Sequence, residues 1–360
     1  MRSVGASKML TKNFRRGIPA CKNFVSVLEA PSALTTSRPS AVIEVKLAHD
    51  MRFLAVCLLI TACCGCSVKR MAINKIGNAL ASGGSTFEQD EDPDLVAEAL
   101  PFGLKFMESL LAESPKHPGL LLAVSSGFTE YGYAFVDERA DETRAENLER
   151  SDALKERARK LYLRAHAYGM RGLEAQYPGF GAAVDSDAAR ALARVRQRDV
   201  PLLYWTAASL GLAISGSKDD PAMIARLPLV EAMINRVAEL DEAWNGGSVP
   251  EFLITLEASR SGVAPEELQK RMRRHFERAL EISKGTRAAP YVSFAENASV
   301  PAQNAAEFRA MLGKALAVDS TKPENRLANL VAQRRARWLL AHIDDLILET
   351  APPGATEPRT

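Results

Sequence analysis

Cysteine is scarce in this sequence and is confined to one part of it. The chain has 360 residues and five cysteines, all within the first 66 positions, namely Cys21, Cys57, Cys63, Cys64 and Cys66. The rest of the chain therefore has no disulfide framework, no thiolate metal site and no cysteine nucleophile.

The residue patterns of common catalytic and metal sites are also missing. The histidines beyond position 50, at 117, 166, 275 and 342, have no partner at a metal-binding spacing such as His-x-x-x-His. Neither the Gly-x-Ser-x-Gly motif of a nucleophilic serine nor a Gly-x-Gly-x-x-Gly dinucleotide loop occurs. The sequence therefore predicts no metal, no cofactor and no enzymatic activity.

An excess of positive charge is lacking once the first residues are set aside. Residues 1–66 carry nine Lys and Arg against three Asp and Glu, which leaves 37 basic and 41 acidic residues in the rest. A mildly acidic body with interspersed charges lacks the basic footprint that phosphate neutralisation requires. We therefore expect no nucleic-acid partner.

Aromatic residues are few as well, at 6% of the chain. Long stretches rich in Ala, Leu, Glu and Arg show no β-branched alternation, and these residue types favour helices over strands. The composition predicts an all-α fold.

An apolar segment begins at Met51 and Arg52 and ends in small residues before cysteine. One basic residue followed by about ten apolar residues has the form of a secretion signal, and is shorter than the about 20 residues of a transmembrane helix. The small residues resemble a bacterial lipobox, so we predict a lipoprotein signal peptide at 51–66. The pattern Ile-Thr-Ala-Cys favours acylation of Cys63 over Cys66. A buried apolar helix or a plain signal is the alternative.

The remaining chain divides into four regions. Because a signal is read at an N-terminus, we expect residues 1–50 to come from a start assigned too early and to be disordered. Residues 67–92 read as an anchor-proximal helix and linker, and Asp92-Pro93-Asp94 is a helix-start signal. Residues 93–349 are the predicted helical-repeat domain, in which the longest helical pattern covers 324–347. Residues 350–360 are a predicted disordered tail.

A repeated pattern within that domain indicates how its helices are arranged. The segments 234–241, 276–283 and 312–319 superpose without gaps, with Val237, Ala279 and Ala315 at matching positions 42 and 36 residues apart. Large apolar residues around a small one are typical of the second helix of tetratricopeptide-like repeats. We therefore predict an array of antiparallel helix pairs, an α-solenoid of degenerate repeats, with an unrelated helical bundle as the alternative.

Two aromatic segments are the candidate contact sites for a partner or ligand. One contains Phe128, Tyr131 and Tyr133, and the other contains Tyr204 and Trp205. Large rings beside small residues line either a core or a hydrophobic channel. Ordinary packing is the competing interpretation, but Tyr and Trp are common anchors on the concave face of curved repeat arrays.

A basic segment near the end of the domain, Arg334-Arg335-Ala-Arg337-Trp338, also has two interpretations. It could be an exposed stripe for an acidic partner. A structural ion-pair network is favoured over that stripe, because acidic residues lie nearby.

Several segments in combination resemble one known family. They include Gly65-Cys66-Ser67 with the following residues to 81, Leu110-Leu-Ala-Glu-Ser-Pro115 to 121, and the segments 90–93, 100–102, 199–205, 251–254 and 332–340. From about Cys66 to Leu348 the chain is similar to the T-component lipoproteins of tripartite ATP-independent periplasmic (TRAP) transporters. No single motif among them is diagnostic.

The resemblance implies a tetratricopeptide-like fold in the periplasm, tethered to a membrane by lipid. It implies a partner, the solute-binding protein of the transporter, and allows a homo-oligomer such as a trimer. A hydrophobic solute is a further expected ligand. The family register shifts the expected acylation to Cys66, and Ser67 would permit sorting to the outer membrane. The alternative function is a general helical-repeat scaffold lipoprotein in envelope assembly.

Overall fold

The described part of the chain is helical throughout. The computed structural model describes residues 74–81, 84–217, 219–260 and 262–348. No β-strand occurs in these ranges, so the predicted all-α class is confirmed. The predicted signal peptide, both candidate acylation sites and the predicted tail at 350–360 lie outside the described residues.

Seventeen helical segments can be followed along the described chain. In chain order they are α1 at 74–81, α2 Gly84–Glu88, α3 Pro93–Glu113, α4 Pro118–Tyr131, α5 Glu138–Thr143, α6 Leu148–Gln176, α7 Phe180–Ser186, α8 Ala188–Leu192, α9 Val200–Ser215, α10 Pro221–Ile224, α11 Leu227–Asp241, α12 Trp244–Ala258, α13 Pro265–Ser283, α14 Ala289–Phe294, α15 Ala305–Leu316, α16 Arg326–Ala341 and α17 Ile343–Leu346. Two π-helical segments, Gly132–Asp137 and Ala295–Ser299, follow α4 and α14, and a short 3₁₀ helix, Gln197–Asp199, precedes α9.

The helix start predicted at Asp92-Pro93-Asp94 is confirmed at α3. The Asp92 carboxylate accepts hydrogen bonds from the backbone N–H groups of Asp94 and Leu95, at 3.1 and 3.0 Å. Pro93 occupies the first turn, where its missing N–H leaves no helical hydrogen bond unmade. The long helical pattern predicted over 324–347 differs from the structure, because it is broken at His342 into α16 and α17.

The core is divided into three successive clusters along the chain. The first joins α3, α4 and α6, the second joins α6 through α12, and the third joins α12 through α17. The three matched residues Val237, Ala279 and Ala315 lie on α11, α13 and α15, and each is completely buried. Each helix group thus buries its apolar face against its neighbours in sequence, as repeat arrays do. The tetratricopeptide-like assignment stays a prediction.

The last long helix returns to the first ones. Arg334 on α16 donates a hydrogen bond to the carbonyl oxygen of Ala134, 200 residues earlier, at 2.7 Å. Arg326 donates to the carbonyl oxygen of Gln89 at 3.2 Å, and Arg335 lies 2.9 Å from the Asp141 carboxylate. The two ends of the helix array are therefore in contact. A solenoid with separated ends is not what these contacts describe.

Helices α6 and α9 approach each other at Gly169. A Cβ atom at this position would overlap the hydroxyl of Thr206 and lie 3.1 Å from Ser125 Oγ. The neighbouring His166 ring donates a hydrogen bond from Nδ1 to the Thr206 carbonyl oxygen, 3.0 Å away. The absence of a side chain at Gly169 therefore sets the spacing of these two central helices.

Candidate functional site

Side chains from six helical segments come within electrostatic range of one another. They are Glu130 on α4, Tyr133 on the first π segment, Tyr204 on α9, Glu251 on α12, Glu296 on the second π segment and Arg335 on α16. Tyr133 is within electrostatic range of Glu251, Glu296 and Arg335, and Tyr204 is within range of Glu130 and Glu251. We call this group the central cleft.

The cleft is open to solvent and yet enclosed by protein. Tyr133 exposes 41% of its surface, and Glu130 is also exposed. Even so, desolvation by the surrounding protein raises the pKa of Tyr133 well above its usual value, and raises the pKa of Glu130 to about 8. These two side chains therefore reach solvent while the neighbouring protein disfavours their charged forms.

The π-helical segment after α4 decides which residues face this cleft. Glu138 donates its backbone N–H to the Tyr133 carbonyl, one π turn away. In an uninterrupted α-helix, residues eight apart lie about 80° away from each other around the axis. The wider π turn changes that offset, and Tyr133 lies within electrostatic range of Glu138. Segments of this kind are rare and are frequent at functional sites.

Glu138 is the most deeply buried carboxylate in this region. Only 4% of the residue is exposed, and its Oε2 atom has no hydrogen-bond partner in the described chain. Burial raises the pKa of Glu138 to about 8, although Arg335 and Arg334 oppose the shift. The Arg334 guanidinium is 3.7 Å from Oε2, too far for a hydrogen bond.

An aromatic cluster forms the α9–α12 side of the site. The ring centroids of Tyr204 and Trp244 are 4.4 Å apart, and those of Tyr204 and Trp205 are 5.2 Å apart in an edge-to-face arrangement. Phe252 lies at 6.2 Å from Tyr204. Tyr204 is buried, whereas Trp205 and Trp244 are half-buried. The two indoles therefore present ring surface at the edge of the cluster.

A kink at the start of α12 positions Trp244. Residues 245–247 have positive φ angles of 50°, 64° and 98°, so the chain turns sharply between Trp244 and the regular helix. Arg287 secures this turn by donating hydrogen bonds to the Asn245 carbonyl and, at 2.9 Å, to the Glu251 carboxylate. The Gly-Gly pair adopts this backbone with little strain, which is the reason for two glycines here.

The five aromatic residues singled out from the sequence are placed in two different environments. Phe128 and Tyr131 are 4% and 9% exposed and pack towards α6, where Phe128 stacks on Tyr168 and Tyr131 accepts a hydrogen bond from Arg157 at 3.2 Å. Tyr133 and Tyr204 both border the cleft through Glu251, and Trp205 adjoins Tyr204. A role of any of the five in binding stays a prediction.

Sequence reasoning missed the carboxylates of the cleft and Trp244, although it had singled out Arg335. Glu130 and Glu296 each stand in an apolar, largely buried helical stretch, the surroundings in which a carboxylate is uncommon unless it is paired or functional. The isolation of each carboxylate among apolar residues was a signal that the sequence offered for a paired or functional residue. The two carboxylates, however, stand 166 residues apart in the chain.

The basic segment on α16 forms an ion-pair network, as the favoured interpretation predicts. Arg335 donates to Glu296 at 2.6 and 2.9 Å and also lies 2.9 Å from Asp141. These partners come from other segments and not from the acidic residues that follow on α17. Through these two ion pairs, Arg335 joins α16 to α5, which carries Asp141, and to the second π segment, which carries Glu296.

The comparison with known families decides what kind of protein this is. The sequence profile of the TRAP transporter T-component matches residues 89–347. The chain belongs to this family. It is also 32% identical over 317 residues to an uncharacterized protein of Treponema pallidum (strain Nichols), covering 82% of this chain and 96% of the relative. Membership makes this T-component an accessory component of a TRAP transporter and an envelope-associated protein.

None of the helices in the described ranges is both long and apolar enough to cross a bilayer. The same residues contain no group of three or more His, Cys, Asp or Glu side chains arranged to hold a metal ion.

Proposed function

We propose that this T-component is held at a membrane by lipid on Cys66, binds the solute-binding protein of its transporter, and receives a hydrophobic solute in the central cleft. The observation that carries this proposal is the environment of Tyr133, which is accessible to solvent and enclosed by protein at once. The side chain of an ordinary surface residue is accessible to solvent and is not desolvated by surrounding protein. The side chain of a core residue is desolvated but is not accessible to solvent. A ligand opening combines the two.

The aromatic cluster supports an apolar ligand. Ring faces supply large apolar contact areas with few rotatable bonds, so ordering them on binding costs little entropy. Trp205 and Trp244 are half-buried beside the cleft and would cover such a ligand.

Truncation of Trp205 tests the partner and the site together. We expect Trp205→Ala to weaken association with the solute-binding protein at least tenfold, measured by isothermal titration calorimetry. Phe102→Ala, which truncates an exposed ring on α3, is the matched control and should leave the affinity unchanged.

The competing outcome is purely structural. Truncating a fully buried tryptophan costs about 3–5 kcal/mol of folding free energy. If Trp205→Ala shows that full cost in denaturant unfolding while its folded fraction binds the partner with wild-type affinity, the proposed contact face is wrong. Failure of the wild-type protein to bind any TRAP solute-binding protein would favour the alternative, a general scaffold lipoprotein of the envelope.

The lipid anchor is tested separately. Cys66→Ala with Cys63 retained should release the protein from the membrane, whereas Cys63→Ala should leave it attached. Mass spectrometry of the mature N-terminus identifies the acylated residue, and a diacylglyceryl group on Cys63 would contradict the assignment. Fractionation of the two membranes tests the outer-membrane location that Ser67 permits, and sedimentation of the intact protein tests the proposed homo-oligomer, including a trimer.

A further inference from the structure

Exposed apolar side chains are concentrated at the start of the described chain. Of the ten large apolar side chains that are exposed in the described ranges, six lie between residues 76 and 106. Three of these six, Leu95, Phe102 and Phe106, are on α3, with 57%, 77% and 41% of their surfaces accessible. Single exposed apolar residues are ordinary in soluble proteins, whereas a group of them marks a surface that contacts another molecule.

These three side chains form one line along the outside of α3. Phe102 follows Leu95 by seven residues and Phe106 follows Phe102 by four, and both intervals return to the same side of an α-helix. The two rings are stacked, with centroids 6.2 Å apart and planes 4° apart. The buried Leu104 is nine residues from Leu95 and therefore on the opposite side of the axis. Helix α3 thus has one apolar side in the core and a second that faces outward, which we call the α3 stripe.

The chain that leads from the proposed lipid anchor enters the body at the carboxyl end of α3. Ser114, which ends this helix, donates a hydrogen bond from its hydroxyl to the Asn74 side-chain oxygen at 3.0 Å. The eight residues from Cys66 to Asn74 can span at most about 29 Å. Along the axis of α3, Phe106 and Phe102 lie about 12 and 18 Å from Ser114. A bilayer that holds a lipid on Cys66 is therefore within reach of the α3 stripe.

The residues between the anchor and α3 suit a lipid surface. Lys69 and Arg70 follow the anchor closely in sequence, and Lys75 is exposed on α1. The same helix also exposes Ile76 and Leu80. Basic side chains beside an anchor are attracted to anionic head groups, and apolar side chains next to them enter the boundary between head groups and acyl chains.

The area of the α3 stripe favours a bilayer over a second protein chain. Taking about 200 Å² for a whole large apolar side chain, the exposed parts of its three members come to roughly 350 Å². A standard protein interface buries about 800 Å² on each partner. A lipid-anchored chain needs far less area, because the anchor already holds the stripe beside the bilayer and makes the contact intramolecular.

We infer that the α3 stripe lies in the head-group region of the bilayer to which Cys66 is attached, and so sets the orientation of the helix array on the membrane. This inference rests on the lipid anchor of the proposed function. It adds a second, non-covalent contact and names the side of the protein that faces the lipid.

A fluorophore on a single introduced cysteine tests the orientation. Residues 67–360 contain no cysteine, and in the acylated chain the thiol of Cys66 is occupied, so the label has one site. Leu95→Cys places the label in the α3 stripe, and Leu148→Cys on α6, a leucine that is 55% exposed, is the matched control. The acylated chain is reconstituted into vesicles of phosphatidylethanolamine and phosphatidylglycerol that contain a nitroxide-labelled lipid. We expect the nitroxide to quench the label at position 95 at least twofold and to leave the label at position 148 unchanged.

Replacing both rings, Phe102→Gln with Phe106→Gln, should abolish the quenching at position 95. The chain should still float with the vesicles, because the lipid is retained, and circular dichroism should show an unchanged fold, because both rings are exposed.

Three results would overturn the inference. One is a chain that floats while the two labels are quenched equally, or while the quenching survives the double substitution, and it would leave the lipid anchor in place. Another is a label at position 95 that becomes shielded from water as the concentration of the Cys66→Ala chain rises without vesicles, which would assign the stripe to a second copy of this chain. The third is an unsubstituted chain that does not float, which would refute the anchor of the proposed function as well.

Discussion

Replacing glycine by alanine should have opposite effects on stability at two positions of this protein. One is Gly169, where α6 contacts α9, and the other is Gly103. At Gly169, the methyl group of alanine would overlap the Thr206 hydroxyl and come within 3.0 Å of Thr206 Cβ. At Gly103, in the middle of α3, an added Cβ would meet nothing within 4 Å. Both are glycine-to-alanine changes in a helix, so intrinsic helix propensity contributes equally to both.

The magnitudes follow from general values. Alanine in place of a helical glycine stabilises by about 0.5–1 kcal/mol. Overpacking a close interface costs about 1–3 kcal/mol. We therefore expect Gly103→Ala to raise the free energy of unfolding by roughly 0.5–1 kcal/mol and Gly169→Ala to lower it by roughly 1–2 kcal/mol.

Urea unfolding followed by circular dichroism measures both differences. A double-mutant cycle with Thr206→Ala adds a direct test, because removing the hydroxyl should restore part of the loss and give a coupling energy of about 1 kcal/mol. If Gly169→Ala stabilises the protein as much as Gly103→Ala does, the close approach of α6 and α9 is not present.

Three further predictions concern the charged residues. Arg335→Met should destabilise the fold by about 3–5 kcal/mol, because Glu296 loses its ion-pair partner, whereas Asp141 keeps its pair with Lys155. Met at the exposed Arg337 should stay within about 0.5 kcal/mol in urea unfolding. The pKa of Glu138 in the folded state, about 8, lies above the usual 4.5, so its contribution to stability is lost as pH rises through that window. Glu138→Gln should remove part of this decline, and an unchanged slope would contradict the assigned burial. Burial lowers the pKa of His166 to about 4, so stability should fall as pH drops from 6.5 to 4, and less so in His166→Gln.

The sequence determined the local structure of this protein to a large extent. Helix starts such as Asp92-Pro93 depend on side chains adjacent to the backbone groups that they cap, and these are visible in sequence. The same holds for the small buried residues at Val237, Ala279 and Ala315. The short helices α7 and α14, whose N-cap residues make no capping side-chain hydrogen bond, were not predicted, since their stability comes from packing.

The aromatic candidates show where sequence reasoning stopped. Tyr131 and Tyr133 are two residues apart, yet one lies in the core beside α6 and the other borders the cleft. The face that each ring takes depends on the π segment that begins at Gly132, and the sequence contained no pattern from which that segment could be predicted.

Only the tertiary structure decided the charge of the cleft. Arg334 and Arg335 were recognisable as a probable pairing segment from α16 alone, but their partners are Ala134, Asp141 and Glu296, up to 200 residues away in the chain. Helix formation depends on residues within a turn or two of each other, and is therefore readable locally. The contact between the two ends of the array depends on pairings between side chains that are far apart in the sequence. Which side chains pair can be read only from the tertiary structure.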